Sequence, residues 1–452
     1  MNLSITKMPI DIIELIFEKI GDGDCINGPD DAYNFIISLG KIYFGDNAIE
    51  IMARYRYKKY GFLKSAKYYE DDKYRVNQHI KIVSPCNQIS IAFKKNLNIT
   101  SVDCFSKVHS VSLRDCTNIT TVDLLENVKM IDLKGCIFVK DVSKLGGAHS
   151  LNLTGCSSIK DVSALGNVHT LYLNSCKQIL DVGALMRVHT LDLTICHKIK
   201  DVSSLGNTHT LFLKGCIKIT DVSALGNVHT LYLNGCVGVT DVSALGNVHE
   251  LNLSGCYNII DVDNLGGVHT LDLSGCTEVF DVHMLSTVNT LDLSGCTNVD
   301  DVSDLGNVEN LNLSHCYKID DVSELGDVEI LNLSDCYNLT DIGDLGGVTS
   351  LNLSRCYNIE DVSSIGNTSV LNLTECYRIT DVSHLGNVEN LNLTKCYGVE
   401  DVSALGSVYN LNLTECWKIK DVSSLKNVYK LNLTKCGLIE DISMLKNGKL
   451  IL

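Results

Sequence analysis

From Val111 onward, apolar residues recur at fixed places in a unit of 20 residues, and the register holds without a gap to the C-terminus. Seventeen units begin at residues 111, 131, 151 and so on to 431, sharing L-x-L-x-x-C-x-x-I-x-D-V-S-x-L-G-N-V-x-x. Places in the unit are numbered 1 to 20 from its first leucine. Place 3 is Leu in every unit, from Leu113 to Leu433, and place 9 is always aliphatic, as in Ile119, Val239 and Ile439. The L-x-L alternation predicts a short strand with its leucines inward and the residue between them outward. Stacked units then form one parallel sheet. A strict period of this length points to a solenoid, in which each repeat packs only on its neighbours. Twenty residues leave no room for an outer helix. The D-V-S-x-L-G stretch predicts a tight or single 3₁₀ turn, with Asp and Ser side chains capping backbone N–H groups.

Cysteine changes the picture only at place 6, filled by Cys116 through Cys436, which accounts for 17 of the 20 cysteines and leaves Cys25, Cys86 and Cys104. Single thiols every 20 residues lack the clustered spacing of a zinc site. They are read as buried thiols bonding weakly to backbone carbonyls where the chain leaves the strand. The formal net charge of -16 argues against a nucleic-acid partner, which needs basic surface to displace counterions. No run of about 18 apolar residues predicts a membrane span. Lys7, Asp11 and Glu14 interrupt the place where a signal h-region would lie, so a reducing, cytoplasmic setting is expected. Outside the repeat rows no nucleophile–base pair, phosphate-cradling loop or metal motif stands out. The expectation is a non-catalytic protein with no metal and no cofactor.

The stretch Val228 to Asp241 follows V-x-x-L-x-L-x-x-C-x-x-I-T-D, with Val239 at the Ile place, and resembles the cysteine-containing leucine-rich repeats. The I-T-D-V-S-x-L turn is also similar to that of bacterial internalin-type repeats. The resemblance covers residues 109–445. It departs from the first family by lacking a helix-length outer segment, and from the second by carrying Cys where Asn is usual. It implies an α/β-type repeat solenoid, a leucine-rich-repeat array with a parallel sheet on its concave face.

Several rows invite chemistry. His fills place 19 in seven successive units, His149, His169, His189, His209, His229, His249 and His269. Such a row can bind metal or sense pH, although duplication of one exposed place leading into the strand is the simpler account. The recurrent Asn-Leu-Ser/Thr (Asn152, Asn252, Asn312 and onward to Asn432) is read as an Asn ladder sharing side-chain hydrogen bonds, stacked too tightly for glycans. Residues 300–344 hold twelve acidic residues and one Lys, Lys318, a solvated acidic face able to steer a basic partner. On the concave face the early units vary most. Asp132, Tyr172, Asp192, Phe212 and Tyr232 lie at place 2, and Arg114, Lys134 and Lys214 at place 4. Exposed aromatics among mixed charges are what an interface hot spot needs, so these eight residues are the candidate ligand-recognition patch.

Residues 1–80 leave the repeat. Met8 to Ile20 reads as an amphipathic helix with Pro near its start, and Asp31–Tyr43 and Ala48–Lys59 read as further helices. The pattern M-P-x-D-I-I-x-x-I-F-x-x-I resembles the first helix of an F-box, although residues 21–29 insert before the second helix and the usual Cys and Trp near the end are absent. An F-box ahead of leucine-rich repeats is similar to substrate adaptors of SCF-type ubiquitin ligases. That resemblance implies a protein-binding adaptor whose head docks on Skp1 through Pro9, Ile12, Ile13, Ile16 and Phe17. The alternative is a stand-alone interaction scaffold whose N-terminal helices only cap the solenoid. The expected division is a helical F-box-like domain (1–80), a degenerate capping repeat (81–100, with Ile91, Phe93, Asn96 and Ile99) and the solenoid (101–452). Such proteins resemble repeat proteins of large amoebal DNA viruses, in which case the compartment is host cytoplasm. The apolar tail Lys449-Leu450-Ile451-Leu452 closes the array without a polar cap and suggests weak end-to-end self-association.

Overall fold

The computed structural model describes residues 90–445 and 449–452. The helices expected within residues 1–80, with the candidate docking residues Pro9, Ile12, Ile13, Ile16 and Phe17, lie outside the described residues. The chain divides into two compact units, the first ending at Cys156 and the second beginning at Ser157. In the first, strands β1 (Ser90–Lys94), β2 (Ser110–Arg114), β3 (Met130–Asp132) and β4 (Ser150–Asn152) run parallel, pairing Ile91 with Val111, Val111 with Ile131 and Ile131 with Leu151. Thus the segment around Ile91 pairs as a repeat despite its degenerate sequence.

The second unit carries three-residue parallel strands at the same spacing, from β5 (Thr170–Tyr172), β6 (Thr190–Asp192), β7 (Thr210–Phe212), β8 (Thr230–Tyr232) and β9 (Glu250–Asn252) to β18 (Lys430–Asn432). A last strand, β19 (Lys449–Ile451), pairs Leu450 with Leu431. The apolar tail is therefore one more rung of the sheet, reached in 19 residues instead of 20, and its Ile451 carbonyl accepts from the Leu433 N–H at 2.8 Å.

The core follows from the repeat. In the unit beginning at 231, Leu231, Leu233, Cys236, Val239, Val242, Leu245 and Val248 are all buried. Seven inward side chains per turn leave the rest of the turn to be polar, and every turn buries its apolar set only against the turns on either side. The outer segments up to residue 427 make 3₁₀ turns, such as Ser163–Leu165 or Ser223–Leu225, and among the described residues no α-helix occurs. The solenoid is therefore a strand and 3₁₀ structure. No helix among the described residues is long and apolar enough to cross a membrane.

The Asp at place 11 does cap the turn. Its Oδ1 accepts the N–H two residues on, as at Asp221–Ser223 (2.9 Å) and Asp401–Ser403 (2.8 Å). The expected role for Ser needs correction, because its hydroxyl donates to the same carboxylate (2.6 Å at Ser223) and caps nothing. At place 18, Thr208 and Thr368 replace the usual Val, and both hydroxyls are buried without a partner. A buried unpaired hydroxyl costs about 1–3 kcal/mol. Thr208→Val is accordingly expected to raise the unfolding free energy by about 1 kcal/mol, measured as a higher urea midpoint at unchanged slope. A lower midpoint would show that the hydroxyl has a role in the core.

Candidate binding surface

Strands β1 to β18 end in the same tight turn. Place 5 takes a left-handed backbone, as Gly in Gly215, Gly235 and Gly255 (φ +68° to +71°), or as Ser175, Ile195, His315, Asp335 and other residues near φ +60°. Turning there sends place 6 inward. Along the row the Cys Sγ donates to the carbonyl of the place-3 leucine one unit earlier, for example Cys256 to Leu233 at 3.2 Å and Cys396 to Leu373 at 3.0 Å, while the first, Cys116, donates to the Arg114 carbonyl at 3.7 Å. Burial pushes these thiols up, Cys256 to about 11 and Cys316 to about 12. The sulfurs stay protonated donors inside the core, as the sequence suggests, and are poorly placed to act as nucleophiles or metal ligands.

With place 1 inward, places 20 and 2 of each strand face outward, flanked by places 19 and 4. The eight candidate residues divide between the two units. In the first, they gather on one carboxylate. Arg114 forms an ion pair with Asp132, whose side chain also accepts from the Ser112 hydroxyl (3.3 Å) and the Lys134 N–H (3.1 Å). Asp132 is thus consumed by its neighbours, while Arg114 and Lys134 keep exposed side chains.

In the second unit, strand register sets Tyr172 beside Asp192, Asp192 beside Phe212 and Phe212 beside Tyr232. The Phe212 and Tyr232 rings stack at 4.8 Å with planes 12° apart, an offset geometry that adds to their burial energy. The Tyr232 hydroxyl donates to the Glu250 carboxylate, which together with partial burial pushes its pKa up to about 12. Asp192 accepts the Thr194 N–H at 2.8 Å and so serves its own turn, and Lys214 is exposed. What remains presented here is the half-exposed Phe212–Tyr232 pair, the half-exposed Tyr172 two strands away from Phe212, and the exposed Lys214.

The Asn row does the same turn work. Asn252, Asn312 and Asn352 accept N–H groups two residues on at 3.0, 3.2 and 3.1 Å. Sharing between strands occurs at Asn252–Asp272 (2.6 Å) and Asn312–Asp292 (3.0 Å). The ladder is therefore mainly a set of local turns, with lateral sharing where Asp stands next to Asn.

Two rows of the later units were not chosen from sequence. At place 7, Tyr317, Tyr337, Tyr357, Tyr377 and Tyr397 stack at 5.2–5.3 Å with planes 4–10° apart, and Trp417 continues the stack at 4.5 Å. Beside them, place 5 alternates in sign. Arg355 lies 3.6 Å from Asp335 and 3.2 Å from Glu375, Glu375 lies 2.6 Å from Lys395, and Glu415 lies 2.6 Å from Lys435. The Lys395 hydrogen bond, with help from Arg355, holds the Glu375 carboxyl below its ordinary range. Reading down place 5 as a column, instead of along the chain, exposes this alternation.

On the outer turns, Asp300, Asp301, Asp320, Asp321 and Glu324 line a shallow open hollow with Lys318 at its edge. Nearby, donor atoms of Asp263, Asp281 and His283 all lie within 4.8 Å of one another. His283 Nδ1 is hydrogen-bonded to the Asp281 carboxylate at 2.5 Å, which raises the imidazole pKa.

No family model matches the chain, and no curated protein matches it. Among solved structures, an internalin (InlF) of Listeria monocytogenes is 17% identical over 75% of this chain and 84% of its own, with a TM-score of 0.30. The functional domain of InlJ from Listeria monocytogenes, described as including a cysteine ladder, is 17% identical over 76% of this chain and 72% of its own, with a TM-score of 0.37. A leucine-rich-repeat protein of Leptospira interrogans is 17% identical over 80% of this chain and 99% of its own, with a TM-score of 0.51. Taken with the 20-residue strand register, that last likeness shows that this chain has the leucine-rich-repeat fold.

Proposed function

We propose that the chain is a non-catalytic protein-interaction scaffold that holds a protein partner on its outward strand face, and that its head acts as an F-box docking it on Skp1. The observation that carries the first half is the stacked Phe212–Tyr232 pair on an open sheet face with Lys214 alongside. Aromatic anchors on a rigid surface bind at low entropic cost, because the strands have already fixed them. The second half rests on the sequence pattern at Pro9, Ile12, Ile13, Ile16 and Phe17. The competing reading, N-terminal helices that serve only as a cap, differs in whether that apolar face is open to a partner.

Two measurements on the full chain separate these claims. A photo-crosslinker at Lys214 is expected to capture protein that a crosslinker at Ser243, on the outer turn, does not. The Phe212→Ala, Tyr232→Ala double variant is expected to remove the capture, since losing such anchors costs about 2 kcal/mol or more each. Equal capture from both faces would end the concave-face reading. Purified Skp1 is expected to bind the full chain and not the Ile16→Asp, Phe17→Asp variant. If Skp1 does not bind, the adaptor role is dropped and the scaffold stands alone.

A further inference from the structure

In the second unit, place 19 brings six imidazoles into one exposed file, His169, His189, His209, His229, His249 and His269. The backbone sets their spacing, since the His249 N–H donates to the His229 carbonyl at 3.0 Å and the His269 N–H to the His249 carbonyl at 3.1 Å. The first four rings stack at 4.6 Å with planes 9–11° apart. Around His249 the order breaks. The ring separations stay at 4.7 Å, but the planes open to 43° against His229 and 32° against His269.

The cause lies one residue on. Five of the six are followed by Thr, and each of those Thr hydroxyls meets the preceding ring's Nδ1 at 3.2–3.3 Å, at His169, His189, His209, His229 and His269. His249 is followed by Glu250, whose carboxylate is taken by the Tyr232 hydroxyl. Without that tether the ring turns out of the stack. Imidazole lone pairs lie in the ring plane, so parallel rings direct them along lines that never meet, and a turned ring can direct its own toward a neighbour's. Two imidazole nitrogens on one ion each sit about 2.0–2.1 Å from it, so two exposed rings with centroids 4.7 Å apart must rotate their nitrogens toward a common point.

We propose that this file binds a divalent transition-metal ion of the Zn²⁺, Ni²⁺ or Cu²⁺ class, with His249 and one flanking imidazole, His229 or His269, as the protein ligands. Neutral imidazole suits these ions, and water completes the shell of so open a site. The rival donor set, Asp263, Asp281 and His283, is less ready. It holds a single imidazole, whose Nδ1 is already hydrogen-bonded to Asp281, where the file offers two rings to ions that favour nitrogen ligands.

The test is calorimetric titration of the full, metal-stripped chain with zinc chloride at pH 7.5, repeated with nickel chloride. Wild-type protein is expected to show saturable binding. His249→Gln should weaken it by at least the roughly tenfold that even an outer-shell change brings. The His229→Gln, His269→Gln double variant, which strips both flanks and leaves His249, should do the same, and His283→Gln should bind as wild type. Far-ultraviolet circular dichroism confirms that each variant remains folded. Absence of saturable binding, loss with His283→Gln, or full affinity in both His249→Gln and the flank variant would each overturn the proposal. None of these outcomes depends on whether a protein partner is held on the sheet face.

Discussion

Replacing Leu293 by Ala is expected to lower the free energy of unfolding by about 2–5 kcal/mol, the range for deleting a buried leucine side chain in a core that cannot collapse. Leu293 is fully buried at place 3. Its N–H donates to the Asn312 carbonyl at 2.8 Å, and its own carbonyl accepts the Cys316 thiol at 3.1 Å. The backbone around it is therefore held from the following turn, and little relaxation can fill the void. A solenoid has no second layer to share the loss, so the damage falls on the two interfaces that this turn makes. The change should appear as a lower urea midpoint together with a broadened transition, as the array uncouples at the weakened turn. A loss under about 1 kcal/mol would mean that the turns slide to close the cavity, contrary to the rigid packing expected of interiors.

Acid should destabilise the chain through the row of Asp residues at place 11. Hydrogen bonds from the Ser two residues on, through hydroxyl and backbone N–H, hold the carboxyls of Asp201, Asp221, Asp241, Asp361, Asp401 and Asp421 below their ordinary range. A carboxyl whose pKa is lower folded than unfolded stabilises the fold above the unfolded value, about 3.9. That stabilisation is lost as pH falls through the folded value. Each site is solvent-exposed and contributes little by itself, but the row repeats turn after turn. Urea midpoints are therefore expected to be flat above about pH 5 and to fall from about pH 4 downward. Asp201→Asn, Asp221→Asn and Asp241→Asn together should make that fall shallower, because Asn still accepts the N–H and does not titrate. An equally steep fall in the triple variant would move the cause to other carboxylates.

Reading the sequence as rows explains why so much of the fold was legible in it. A repeat of 20 residues makes the neighbour of any residue the one 20 places away, so Leu291 beside Leu311 and Tyr232 beside Phe212 follow from counting. The buried thiols and the Asp-led turns were legible for the same reason, being local patterns with one physical solution apiece. The outer turn was legible as to type, while the direction of the Ser hydroxyl was not, because an O–H can either donate or accept and only its surroundings decide.

The candidate surface was legible as to location and not as to what remains available on it. Asp132, Asp192 and Glu250 all stand on the outward side, and each is taken by a neighbour, by Arg114, the Thr194 N–H and the Tyr232 hydroxyl respectively. The pairs Arg114–Asp132 and Tyr232–Glu250 join residues 18 apart, diagonal contacts that depend on side-chain length and rotamer. A sequence column shows which residues are adjacent and leaves open which of them reach. The same distinction separates the two halves of the histidine file. By itself the sequence determined the period, the strand register, the buried set and the six aligned imidazoles, because each is a matter of spacing along a repeating backbone. Only the tertiary structure decided which polar groups are spent on one another and that His249 turns away from its stack, because both depend on how side chains from successive turns compete for the same partners.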